Sequence, residues 1–351
     1  MPEFPQLNDF IPANLTVSNP GRKLHHVFEA GDCHALWAAY ASGRPLLVRG
    51  KPGTGKSQMA RAIAEQLGWA FVSEVIQGST ELSDLHWHFD AVGRLGEAQT
   101  RAMEASSNAT ACTTQTRLDP VNFLSPGAFW WAYDWDTAQK QYGQCSTRLR
   151  PEPEKPDAAT AKGKQWQADT GGVVLLLDEI DKAEPDLPNG LLETLGHYQF
   201  TVPYINHKDR ETTIQNPVKA APSQLLIVIT TNEERELPKA FVRRCFVHTL
   251  KMEDSAEMVK DVAINKDIEK RHRWLIERGR LHFGERIGKE AYLRAAELLW
   301  QDRDANPHSL YPPGLAEYID LLGALQGLDK SGQRERLEKI ARYALKKEVD
   351  E

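Results

Sequence analysis

Apolar residues recur with two different periods along the chain. Pro45-Leu-Leu-Val-Arg-Gly50 is a short apolar run closed by a glycine, which predicts a buried strand. Gly55–Leu67 then places Met59, Ala60, Ile63, Ala64 and Leu67 at i, i+3, i+4 spacing, which predicts a helix that Gly68 is placed to end. Ala70–Ile76 predicts a second strand. Strand, helix and strand in succession imply a parallel pair joined by a right-handed crossover. Val173–Leu177 and Leu225–Ile229 are continuous apolar runs of the kind buried on both faces, and Phe246–Leu250 is a further strand. Glu81–Met103 and Leu187–His197 read as helices. Phe200–Ile214 reads as a hairpin about a polar turn at Asn206–Arg210. Phe129–Trp135 is an aromatic cluster following Ser125-Pro126-Gly127. Gln144–Thr170 is polar, carries Pro151, Pro153 and Pro156, and reads as a mobile loop. From Asp254 onward the period is helical: over Ala291–Leu299, at Leu315, Tyr318, Ile319, Leu322 and Leu325, and over Gln333–Lys347. These patterns predict an α/β domain over 1–252, with inserted material at about 77–171, and a smaller helical domain over 253–351. No internal repeat is visible.

Composition narrows the class without deciding it. The 351 residues are 41% hydrophobic and 26% charged, as in an ordinary globular protein. The longest apolar runs are too short to cross a bilayer. Met1–Pro20 has no basic head followed by an apolar stretch, so no leader is expected. Cys33, Cys112, Cys145 and Cys245 are scattered, with no CxxC pair. Neither a zinc site nor a disulfide framework is expected, which fits a cytoplasmic protein. A net charge of −6 without a long basic run argues against nucleic acid as the main partner.

The chemistry begins at Gly50-Lys51-Pro52-Gly53-Thr54-Gly55-Lys56-Ser57, which matches G-x-x-x-x-G-K-[ST] in full. Glycines let backbone N–H groups close around a phosphate without a Cβ in the way. The helix that follows presents free N–H donors and a positive dipole end. Lys56 would reach the β- and γ-phosphates, and Ser57 would give a hydroxyl to Mg²⁺. A random chain of this length matches the pattern roughly once in a hundred, and here it also sits between a strand and a helix.

Three later strand ends carry further candidates. Val173-Val-Leu-Leu-Leu-Asp178-Glu179 would bring two acids to the carboxyl edge of a sheet, where ligands bind in open α/β folds. Asp178 would hold Mg²⁺, and Glu179 would orient or deprotonate a water. A strand ending in a solvated acidic turn would look the same without the phosphate motif upstream. Leu225-Leu-Ile-Val-Ile-Thr-Thr-Asn232 offers an amide able to bond water and phosphate, though Asn is also a common turn residue. Ala240-Phe-Val-Arg243-Arg244-Cys245 offers guanidinium groups suited to a γ-phosphate, and the same pair would also neutralise a helix C-terminus. His86 and His88 are metal-ligand types without a supporting cluster. Trp130, Trp131 and Trp135 fit hydrophobic packing better than base stacking.

These ordered pieces, GKPGTGKS, VVLLLDEIDKA, LIVITTN and LPKAFVRRC, resemble the AAA+ ATPases, and within them the MoxR-like branch. The resemblance covers roughly residues 25–250. It implies a five-stranded parallel sheet ordered 5-1-4-3-2 with helices on both faces, and a helical lid. It implies a homo-oligomeric ring, commonly a hexamer, that binds ATP and Mg²⁺ and hydrolyses ATP to remodel or load a protein partner, possibly one with a von Willebrand A-type domain. In its terms Asn232 takes the sensor 1 position. Arg244 takes the arginine-finger position, with Arg243 second. Two departures stand out. Lys56 and Asp178 are 122 positions apart, longer than a compact core needs. Where a basic sensor 2 is expected, the chain reads Ser309-Leu-Tyr-Pro-Pro-Gly314. Alternatives are a DNA- or RNA-stimulated motor and a nucleotide-gated scaffold in a prokaryotic defence system.

Overall fold

Continuous apolar runs become central strands because a parallel sheet covered by helices buries both faces of each strand. The computed structural model describes residues 9–10, 14–19, 22–105, 118–147, 149–156, 166–169, 171–205, 215–309 and 312–345. Five strands form the main sheet: β1 (Leu46–Arg49), β2 (Ala70–Val75), β3 (Val173–Asp178), β4 (Leu225–Thr231) and β5 (Phe246–Thr249). Their order is β5-β1-β4-β3-β2, the order that the resemblance implies. β2 and β4 both run parallel to β3; Val75 lies opposite Asp178, and Ile229 opposite Leu177. This register brings the carboxyl ends of β2, β3 and β4 to one edge.

The α-helices among the described residues are α1 (Ala30–Ser42), α2 (Lys56–Leu67), α3 (Leu82–His86), α4 (Ala91–Ala105), α5 (Ala128–Tyr133), α6 (Trp135–Gln144), α7 (Asp186–His197), α8 (Lys239–Val242), α9 (Lys270–Phe283), α10 (Lys289–Ala305), α11 (Leu315–Gly323) and α12 (Lys330–Leu345). Among the described residues no helix is long and apolar enough to cross a membrane. The chain divides into two compact units. One comprises Met1–Ile11, Gly31–Leu47 and Ile63–His248; the other comprises Pro12–Ala30, Val48–Ala62 and Thr249–Glu351.

In the first unit, the core joins Leu175, Leu177 and Ile229 of the sheet to Phe129, Trp130, Trp131 and Trp135 of α5 and α6. The tryptophan cluster is therefore core. Trp130 is fully buried and its indole N–H donates to Thr137 Oγ1 at 3.0 Å. The single helix expected over Glu81–Met103 is interrupted. Trp87–Phe89 leaves helical geometry to pair antiparallel with Leu124–Pro126, and α4 begins only at Ala91. The described parts of Gln144–Thr170 are docked rather than loose. Phe71 N–H donates to Glu154 O at 3.3 Å, and the Trp166 indole N–H donates to Gly172 O at 3.1 Å. The hairpin expected over Phe200–Ile214 pairs farther out, Gln199–Phe200 with Val218–Lys219, and its turn lies outside the described residues.

The second unit holds the helical core. Leu275, Ile276, Tyr292, Leu299, Tyr318, Leu322 and Leu337 are its buried centre. Both buried tyrosines keep a hydrogen bond: Tyr318 Oη donates to Tyr292 O at 3.0 Å, and Tyr292 Oη to Gly284 O at 2.9 Å. The helical pattern expected from Asp254 begins later than its first residues suggest. Met258–Asp261 and Lys266–Glu269 form a hairpin first, closed by Ile264 N–H on Asp261 Oδ1 at 2.8 Å.

Candidate functional site

The loop between β1 and α2 is built from conformations that glycine alone adopts without strain. Gly50, Gly53 and Gly55 have φ of 151°, 75° and 90°. A Cβ at Gly50 would lie 2.7 Å from Leu250 O, so a side chain there would displace backbone. Lys51, Pro52 and Gly53 are exposed at the crest of the loop, and Thr54 Oγ1 donates to Lys51 O at 2.9 Å. Lys56 is 6% exposed, and its ammonium donates to Gly50 O at 2.8 Å and Lys51 O at 3.0 Å. A cation this buried is costly without such partners. Ser57 follows in the first turn of α2. In the same unit the loop meets the start of α11: a Cβ on Gly53 would lie 3.1 Å from Ala316 Cβ, and one on Gly314 would lie 3.4 Å from Pro52 O. Leu310 and Tyr311, where a basic sensor 2 was sought, lie outside the described residues.

Asp178, Glu179 and Asn232 meet in the first unit. The parallel register sets Thr230, fully buried, beside the end of β3. Its hydroxyl donates to Asp178 Oδ1 and accepts the Glu179 N–H at 2.9 Å. Glu179 holds left-handed backbone, φ 60° and ψ 48°, which costs a residue with a Cβ about 1–2 kcal/mol. Strain of that kind persists where surroundings enforce it, and here the Thr230 bond and the turn bond from Lys182 N–H to Glu179 O at 3.0 Å do so. The side chain of Glu179 meets two groups: Asn232 Nδ2 donates to its Oε1 at 3.2 Å, and Lys182 Nζ bonds its Oε2. The bonded carboxylate raises the Lys182 ammonium above its ordinary range.

Asn232 is itself held from below. Asp181, 2% exposed, accepts the Asn232 N–H on both carboxylate oxygens at 3.2 and 3.3 Å, and the Glu234 N–H at 2.9 Å. Thr230 and Asp181, which hold Asp178, Glu179 and Asn232, are candidates that pattern reading passes over. Each stands inside a quoted segment, ITTN and DEIDKA, but its role depends on two strands that are distant in sequence.

Arg243 and Arg244 are exposed at the end of α8, and neither guanidinium has a partner among the described residues. Their backbone carbonyls do: Arg44 Nε donates to Arg244 O at 3.0 Å, and Arg44 Nη2 donates to Arg243 O. His86 stacks flat on Phe200 at 4.3 Å, with Nε2 2.9 Å from Thr194 Oγ1, and burial lowers it to about 4. His88 lies 3.6 Å from Asp84, and burial lowers it too. Among the described residues no group of three or more His, Cys, Asp or Glu is placed to hold a metal. Cys33, Cys145 and Cys245 are buried free thiols.

The profile of the AAA domain (dynein-related subfamily) matches residues 45–245, more than half of the chain and the span that holds every candidate residue above. The chain is also similar to a crystal structure of a candidate ATPase from Cytophaga hutchinsonii. The identity is 15% and the TM-score 0.31, over 88% of this chain and 78% of that one. No curated protein matches it. The chain belongs to the AAA family, with a domain of the dynein-related subfamily at residues 45–245.

Proposed function

We propose that the chain is a MoxR-like AAA+ ATPase that binds ATP with Mg²⁺, hydrolyses it, and works as a homo-oligomeric ring on a protein partner. The sequence resemblance suggests a partner with a von Willebrand A-type domain, and the scattered cysteines fit a cytoplasmic setting. The observation that carries the reading is the Thr230 hydroxyl, which binds Asp178 and Glu179 at once while Asn232 touches the Glu179 carboxylate. An acidic turn with no chemistry to perform has no need of a strained glutamate fixed at both its backbone and its side chain.

Residues 1–252 supply the nucleotide chemistry in this reading, and 253–351 the lid. In this reading the cradle Gly50–Ser57 turns its backbone N–H groups to phosphate, and Gly50 is required because a Cβ there would displace the Leu250 backbone packed against the loop. Lys56 is held within the loop by two carbonyls and offers its ammonium to phosphate oxygens. Ser57 and Asp178 each offer a hard oxygen donor of the kind that suits Mg²⁺, and the sequence resemblance assigns both to it. When bound, the ion neutralises phosphate charge. Glu179 orients the attacking water and takes its proton, and Asn232, already bonded to Glu179, steadies that water. Arg244, with Arg243 second, acts on the nucleotide of a neighbouring copy.

Subunit mixing tests the shared arrangement. Lys56→Ala and Arg244→Ala chains, each inactive alone, should regain phosphate release when combined. Mixtures no better than their components would count against a ring with trans-acting arginines.

A further inference from the structure

Arg44 lies one residue past Gly43, which leaves α1 with φ 65°, and directly before Pro45 and β1. Its guanidinium reaches a segment 199 and 200 positions away. Nε donates to Arg244 O at 3.0 Å, Nη2 donates to Arg243 O, and Cζ sits 5.4 Å from the centre of the Phe246 ring. A short helix such as α8 leaves its last carbonyls without partners, and a basic side chain can satisfy them. Two details go beyond ordinary capping. The capped carbonyls belong to the two residues whose own guanidinium groups are exposed and unpartnered among the described residues. The cap also comes from the residue that leads into β1 rather than from α8 itself. A planar fork bonding two successive carbonyls, stacked on the first residue of β5, fixes the orientation of that peptide segment as a single donor could not.

We propose that Arg44 is a positioning residue for the outward-facing arginine pair, holding the Arg243–Arg244 backbone so that the pair is presented to a second copy of this chain. The inference rests on reading that pair as acting in trans. Arg44 does not touch the reacting nucleotide; it acts through Arg243 and Arg244. Lysine in its place keeps the charge but loses the fork, so the geometry, not the charge, carries the effect.

The test uses full-length chains carrying Arg44→Ala or Arg44→Lys. Arg44 is exposed, so neither change opens the core. Arg44→Ala should lower kcat by roughly tenfold with KM for ATP within about twofold, because presentation is lost and nucleotide binding is not. Arg44→Lys should recover only part of that loss. Mixing Arg44→Ala with Lys56→Ala should restore turnover above either alone, since the second chain supplies a correctly held arginine pair. Wild-type kcat in Arg44→Ala overturns the proposal. So does a mixture that is not restored while Arg244→Ala with Lys56→Ala is, and that result leaves the trans arrangement standing. If neither mixture recovers, the trans arrangement fails and the inference falls with it.

Discussion

Replacing Thr230 with valine removes one hydroxyl and almost no volume. The hydroxyl donates to Asp178 Oδ1 and accepts the Glu179 N–H at 2.9 Å, in a residue with no exposed surface. Water cannot readily replace it. A net hydrogen bond between uncharged groups is worth about 1 kcal/mol, and one to a carboxylate about 2 kcal/mol. The incoming methyl returns about 0.8 kcal/mol through apolar burial. The expected loss is therefore about 2 kcal/mol, concentrated where β3 turns into Glu179. At roughly 1.4 kcal/mol per factor of ten, the Glu179 amide should exchange its hydrogen about 30-fold faster. Glu179 would also be released from its left-handed backbone, and turnover should fall by at least tenfold while ATP affinity changes little. Thr230→Ser keeps the hydroxyl and should restore most of both. Hydrogen exchange resolved at Glu179, with steady-state phosphate release on the same preparations, reads the outcome. Wild-type exchange and wild-type turnover in Thr230→Val would refute the idea that this hydroxyl organises the acids.

Three further outcomes follow from other contacts. Asp181→Asn should cost about 1–3 kcal/mol in urea unfolding and lower kcat more than it raises KM, because the Asn232 and Glu234 N–H groups lose their carboxylate acceptor. Lys56→Ala should weaken ATP binding by roughly a hundredfold in calorimetric titration, the loss expected when a charge-assisted phosphate contact disappears. His86 gives a pH dependence. Burial lowers it to about 4 from 6.5, so the unfolded chain binds the extra proton first as pH falls. Its neutral form supports stability fully above about pH 6.5, and that support declines as pH falls toward 4. The loss is on the order of 3 kcal/mol. His86→Gln should flatten that part of the urea-midpoint profile, and an unchanged difference between pH 7 and pH 5 would exclude the assignment.

Much of the architecture is legible because the strongest local signals coincide with buried structure. Val173–Leu177 and Leu225–Ile229 are apolar without interruption, and as interior strands they could hardly be anything else. The Gly50–Ser57 motif carries its own backbone demands. Other parts depend on distant partners. Trp87–Phe89 sits inside a helical pattern, and only pairing with Leu124–Pro126 turns it into a strand. The helix Ala30–Ser42 gives little amphipathic pattern and escapes a reading by period, and the short hairpin of Asn14–Asn19 with Arg22–Val27 is established by its cross-strand pairing. Thr230 and Asp181 are plain strand and turn residues by type. Their positions under Glu179 and Asn232 follow from the register between β3 and β4, which no local spacing encodes.

The most direct measurement is phosphate release from Mg²⁺ and ATP by the purified wild type and by Glu179→Gln, with ATP affinity determined on both. The account predicts clear release by the wild type. The variant should hold ATP with similar affinity and turn over at least a hundredfold more slowly, as expected when a base worth 10²–10⁴ is removed. Release by the variant close to the wild-type rate, or a wild type that binds no ATP with the metal present, would contradict it.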